Sequence, residues 1–125
     1  MEENAVAHAV VDAAYHIHVE LGPGLLESVY LAVLAKDLER RGLRVRCQQG
    51  IPIEYGGLEF DTGFRADLIV EGVVIVEVKA VECLAPVHKA QVLTYLRLAR
   101  LKLGLLINFN VVRIKDGITR IVNGL

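Results

Sequence analysis

Serine occurs once in this chain, at Ser28, and tryptophan not at all. A serine-nucleophile hydrolase would rest on that one hydroxyl. It has no G-x-S-x-G frame and no evident base, so the sequence argues against that chemistry. Walker and dinucleotide-binding glycine motifs are also missing. Two cysteines, Cys47 and Cys83, lie far apart with no C-x-x-C pair. They read as buried, reduced thiols of a cytoplasmic protein and give no basis for a zinc site. No apolar run reaches the length of a membrane span; the one around Val73 to Val76 is strand-sized. The opening Met1-Glu2-Glu3-Asn4 is acidic and leads straight into a helical pattern, so no signal peptide is expected. A surplus of charge is lacking too. Fourteen Lys and Arg face fifteen Asp and Glu, a formal net charge of −1. That is not the footprint of a strong nonspecific DNA binder.

What the chain has in abundance is apolar surface. Its hydrophobic content is 54% over 125 residues, the length of one domain spanning 1–125. A chain of this size buries roughly two-thirds of its unfolded surface. The excess implies either two well-covered sheet faces or a homo-oligomeric surface. Locally the charges are less even. Lys36, Arg40, Arg41, Arg44 and Arg46 cluster, and His88, Lys89, Arg97, Arg100 and Lys102 form a second group. The first group is either a phosphate-contacting patch or a helix C-terminus satisfied by cations.

Helical spacing joins Val6, Ala9, Val10, Ala13, Ala14 and Ile17, with Asn4 as the expected N-cap. Gly22-Pro23-Gly24 stops that helix, and a second runs through Leu26, Val29, Tyr30, Val33, Leu34 and Leu38 until Gly42. His16 and His18 diverge on the first helix and read as surface or interhelical residues. Strands are expected over Leu43 to Ile53, with Pro52 at an edge or bulge, over Leu58 to Val70, and over Val73 to Ala80. Pro86 opens a helix to about Arg100, and Leu103 to Phe109 is a buried strand. Val111 to Lys115 and Ile118 to Val122 predict a C-terminal β-hairpin around Asp116-Gly117, a type I′ signal. Asn108 and Asn110 are expected to hydrogen-bond a turn.

Three ionisable residues sit inside strands that otherwise ask to be buried: Asp67, Glu77 and Lys79. Glu77 and Lys79 are two apart and share a face. A two-residue loop at Glu71-Gly72 would pair Asp67 with Val76 and send Glu77 to the other face, whereas a three-residue loop over Glu71 to Val73 pairs Asp67 with Glu77 and Arg65 with Lys79. The second register is the expectation. Two carboxylates and a lysine then converge, either as a site for Mg²⁺ or Mn²⁺ or as a buried Lys–Glu or Arg–Asp ion pair. Glu27, in the first turn of the second helix, is either a helix-start carboxylate or a ligand. His88, Gln91 and Tyr95 share one face of the helix from Pro86. Gln91 could position a water or a phosphate oxygen, and Tyr95 could donate to a carboxylate or simply pack; for Tyr95 and His88 packing or exposure is the favoured reading.

The D-(nine residues)-E-V-K spacing resembles the PD-(D/E)XK nuclease superfamily, with Ala66 in place of the proline. Gly24-Leu25-Leu26-Glu27-Ser28-Val29-Tyr30 resembles the G-x-x-E-x-x-Y motif of the GxxExxY family, a branch of it. Leu21-Gly22-Pro23-Gly24, Phe64-Arg65-Ala66-Asp67, Glu77-Val78-Lys79-Ala80, Gln91 to Leu96 and Leu103 to Phe109 extend the likeness in order along nearly the whole chain. The resemblance implies a restriction-endonuclease-like α/β fold, an αβββαβ core with an extra N-terminal helix and a C-terminal β-hairpin. It implies a Mg²⁺- or Mn²⁺-dependent nuclease acting on nucleic acid, DNA ahead of RNA. Asp67, Glu77 and the Val78 carbonyl would bind metal, Lys79 would stand by the attacking water, Glu27 would add a third carboxylate, and Gln91 would face the site. The alternative is a catalytically silent nucleic-acid- or protein-binding module on the same fold.

Overall fold

The computed structural model describes residues 2–125. Two helices, α1 (Glu3–Leu21) and α2 (Glu27–Arg40), cover one face of a five-stranded sheet. Its strands are β1 (Val45–Tyr55), β2 (Leu58–Val70), β3 (Val74–Lys79), β4 (Leu103–Asn108) and β5 (Ile118–Val122), and α3 (Pro86–Ala99) covers the other face. The order in space is β1-β2-β3-β4-β5. Only β3 and β4 are parallel, as the α3 crossover between them requires.

Alternation in β3 decides which side chain meets which layer. Val74, Val76 and Val78 face α1 and α2, together with Val10, Ala14, Leu34 and Leu38. Ile75 turns to α3, where Val92 and Leu96 wait. Glu77 and Lys79 share the parity of Ile75 and therefore the α3 side. Helix α3 lies close because β4 offers Gly104 beneath it. A Cβ at that glycine would stand 2.7 Å from the Val92 Cγ1. In β2 the phase changes at Asp67: Phe64 and Ala66 join the α3 cluster, whereas Leu68 and Val70 join the α1–α2 cluster.

Several local expectations needed correction. The N-cap of α1 is Glu2, not Asn4. Its carboxylate accepts from the Asn4 and Ala5 amides at 3.1 and 2.7 Å, starting the helix earlier. Asn4 instead accepts from the Arg120 guanidinium at 2.6 Å. Strand β1 begins two residues late because Gly42, at φ 88°, and Leu43 are spent closing α2, the Leu43 amide donating to the Leu38 carbonyl. Pro52 marks the expected bulge, where the β1–β2 register shifts between Ile51 and Ile53.

The C-terminal β-hairpin is also corrected. Ile114–Gly117 forms a 3₁₀ turn, and β5 pairs antiparallel with β4 rather than with Val111 to Lys115. A type I′ turn needs positive φ at both central residues, and neither Asp116 nor Gly117 has it. Gly117 is needed for closeness instead, since a Cβ there would overlap the Asn108 carbonyl oxygen. Both cysteines are exposed rather than buried, Cys47 on the edge strand and Cys83 after β3.

Candidate metal centre

The β2–β3 hairpin is laid down with the three-residue loop. Val70 pairs with Val74, Ile69 with Ile75 and Leu68 with Val76. Continuing that register brings Asp67 opposite Glu77, and there side chains replace the backbone ladder. Glu77 Oε2 accepts the Asp67 amide at 3.0 Å, and Asp67 Oδ2 accepts the Val78 amide at 2.9 Å. The strands part, and the gap is filled by two carboxylates.

Glu77 is only 7% exposed. Burial, then hydrogen bonding and repulsion from the Asp67 carboxyl, pushes its pKa up to about 9, with Lys79 pulling weakly the other way. The ion-pair reading is not realised. Among the described residues no ion pair joins Lys79 or Arg65 to either carboxylate. The Arg65 guanidinium reaches the Gln48 carbonyl, at 3.4 Å. A close carboxylate pair without its cation is the arrangement that a divalent ion relieves, so the residues fit such a group.

Helix α3 lends its polar stripe to this opening. The Tyr95 ring stacks on Phe64, centroids 4.1 Å apart, and burial followed by the charges of Glu77 and Asp67 raises the pKa of its phenol. Gln91 is exposed on the same face, beside the Tyr95 phenol, and pulls its pKa the other way. Tyr95 thus both packs and borders the carboxylates. His88 serves the helix start, its Nδ1 accepting the Ala85 amide at 3.0 Å. Gln48 of β1 donates to Asp67 Oδ1 at 3.2 Å, a contact missed in the sequence, where it read as one more strand residue.

Glu27 stands apart. It is exposed at the start of α2, and the described residues contain no group of three or more His, Cys, Asp or Glu side chains arranged to hold a metal. Its motif partner Tyr30 is fully buried, donating to the Gly22 carbonyl at 2.6 Å and accepting the Leu25 amide at 3.1 Å. Gly24, at φ 100°, makes the tight passage between α1 and α2 possible.

The sequence model of the PD-(D/E)XK nuclease superfamily matches residues 4–121, a span that includes every one of these side chains. The chain belongs to the PD-(D/E)XK nuclease superfamily. Neither a curated protein nor a solved structure matches it. Membership in the PD-(D/E)XK superfamily points to a nuclease-like function and to a divalent metal as the cofactor such enzymes generally use. The α/β architecture, a five-stranded sheet flanked by helices, is that of the superfamily.

Other polar candidates have structural partners. Of the first basic cluster, Arg41 is engaged by Asp12 at 2.7 Å and Asp37 at 3.0 Å, and Arg44 by Glu71 at 3.4 Å. That last pair sits at the β2–β3 loop, the end of the hairpin away from the carboxylates. His18 is buried and bonds the Val111 carbonyl through Nε2 at 2.8 Å. Asn108 ties the end of β4 to the segment after β3, holding the Val81 amide at 3.0 Å and its carbonyl at 2.9 Å. No helix is long and apolar enough to cross a membrane, among the described residues.

Proposed function

We propose that this chain is a metal-dependent phosphodiesterase of the GxxExxY branch, hydrolysing nucleic acid with Mg²⁺ or Mn²⁺. The observation that carries the reading is the Asp67–Glu77 carboxyl pair where β2 and β3 part, Glu77 buried and neither joined to a cation by an ion pair among the described residues. Asp67 and Glu77 hold the metal through their carboxylate oxygens, with the Val78 carbonyl as a further oxygen ligand. When bound, the metal supplies Lewis acidity toward phosphate and a nucleophile at neutral pH. Lys79, on the face of Glu77, orients the attacking water and offsets charge growing on the phosphoryl group. Gln91 and Tyr95 line the opening from α3. Glu27 serves a second cation or accepts from a nearby water.

The test is calorimetric titration of Mn²⁺ and Mg²⁺ into wild type and Glu77→Ala, with circular dichroism to confirm folding. Saturable binding lost in a folded variant supports the site. A panel of single- and double-stranded DNA and RNA with added metal then reads turnover. The near-neutral net charge favours a second reading, a silent binding module. It predicts metal binding without cleavage of any member of the panel.

A further inference from the structure

We infer that Gln48 is a positioning residue that fixes the orientation of Asp67 for the metal. The inference rests on the metal-site reading and adds to it a residue from the edge strand. Cys47 pairs with Leu68 and Gln49 with Ala66, which puts Gln48 directly across from Asp67.

Three non-glycine residues of the described chain have positive φ: Gln48 at 51°, Glu71 at 53° and Arg100 at 58°. Glu71 lies in a hairpin loop and Arg100 caps α3, where left-handed backbone is ordinary. Gln48 alone lies inside a strand. A side chain in that region is disfavoured, and such residues persist where the surroundings over-determine them.

Two contacts do so here. The Gln48 carbonyl accepts from the Arg65 guanidinium, and its Nε2 donates to Asp67 Oδ1. An ionised carboxylate only accepts, so the amide must present its nitrogen. With the Val78 amide on Oδ2 and Gln48 on Oδ1, both oxygens of Asp67 are anchored, one from each neighbouring strand. Each oxygen keeps acceptor capacity for a cation. A ligand held in its binding orientation loses less freedom when the ion arrives, the advantage such supporting residues give to metal sites generally.

The experiment compares Mn²⁺ affinity with urea stability in wild type, Gln48→Gly and Gln48→Asn. Glycine accepts the left-handed backbone and removes the amide, so Q48G should be as stable as wild type or more so, while binding Mn²⁺ about 10–100-fold more weakly. Asparagine tolerates that backbone and carries the amide one carbon short, so Q48N should match wild-type stability and also bind more weakly. A merely structural glutamine would alter stability and leave affinity alone. Wild-type binding with equal affinity in both variants overturns the role of Gln48 and leaves the metal site standing. No saturable binding by wild type overturns the metal site and this inference together.

Discussion

The Tyr30 ring lies flat on that of Phe109, their centroids 4.5 Å apart and their planes 6° from parallel. The Phe109 amide in turn donates to the Lys79 carbonyl at 2.9 Å. One stacked pair and one hydrogen bond therefore join the helix of Glu27 to the strand end that carries Lys79. Tyr30 is one helical turn from Glu27, on the same side of α2. Tyr30→Phe keeps the ring and removes the hydroxyl, leaving the Gly22 carbonyl and Leu25 amide without that partner. The expected cost is about 1–3 kcal/mol in urea unfolding, with the ring stack retained.

Glu77→Gln tests the carboxylate pair from the opposite direction. The amide keeps the shape of the side chain and, like the protonated carboxyl it replaces at neutral pH, carries no charge, but it cannot ionise to bind a cation. The metal-free variant should match wild-type stability at about pH 7 and exceed it above about pH 9, while Mn²⁺ affinity falls by more than about 100-fold. Urea midpoints in chelator and calorimetric titration read the two effects separately. A variant less stable in chelator yet binding Mn²⁺ like wild type would overturn the ligand assignment.

The same residue sets a pH dependence. Folding raises the Glu77 pKa from 4.5 to about 9, so between those values the folded metal-free chain holds more protons than the unfolded one. Stability is then fully present below the unfolded value and is lost as pH climbs through the window toward the folded one. Urea midpoints in chelator should fall from pH 5 to pH 8.5, and Asp67→Asn should flatten the slope. Mn²⁺ affinity should rise over the same range, because binding displaces the proton. Asp12 and Glu71 act in the other direction. A hydrogen bond from Arg41 lowers the first, and the Arg44 amide lowers the second, from ordinary values of 3.8 and 4.5. Their contribution is present above those values and fades as pH falls below them.

Gly104→Ala probes the seat of α3. The new methyl would press on Val92 and come within 3.4 Å of a Leu96 methyl, so the helix must shift. Overpacking of this kind costs typically about 1–3 kcal/mol. Because the same helix carries Gln91 and Tyr95, the phenol of Tyr95 should titrate closer to its ordinary value as it moves from Glu77. Ultraviolet difference spectra against pH measure that shift.

Much of this was legible in the residues themselves. The parity of Asp67, Glu77 and Lys79 selected the three-residue loop, and Leu58 to Val70 and Ile118 to Val122 read as the strands they form. What escaped was decided by neighbours remote in sequence. Asp116-Gly117 carries a local turn signal, yet the pairing of β5 with β4 and the closeness of Gly117 to Asn108 decided its geometry. Asn4 was a sound cap by type, but a free carboxylate stood two residues earlier and Arg120 claimed its amide. Gln48 gave no signal because strand spacing cannot report a left-handed backbone. Tyr95 was undervalued because its opposite number, Phe64, lies on β2 and comes beside it only when α3 docks.

The hairpin that unites Asp67 and Glu77 also bears on the order in which the chain folds. Their meeting closes a short loop, whereas the parallel pairing of β3 with β4 must wait for the whole α3 crossover. Short loops close at little entropic cost and form early. The two carboxyls are therefore expected to meet before most of the core exists, and repulsion between them while both are ionised would be felt on the way up the barrier. Mild acid or Mn²⁺ would then hasten refolding more than it slows unfolding, and the site would act as a gatekeeper of its own formation.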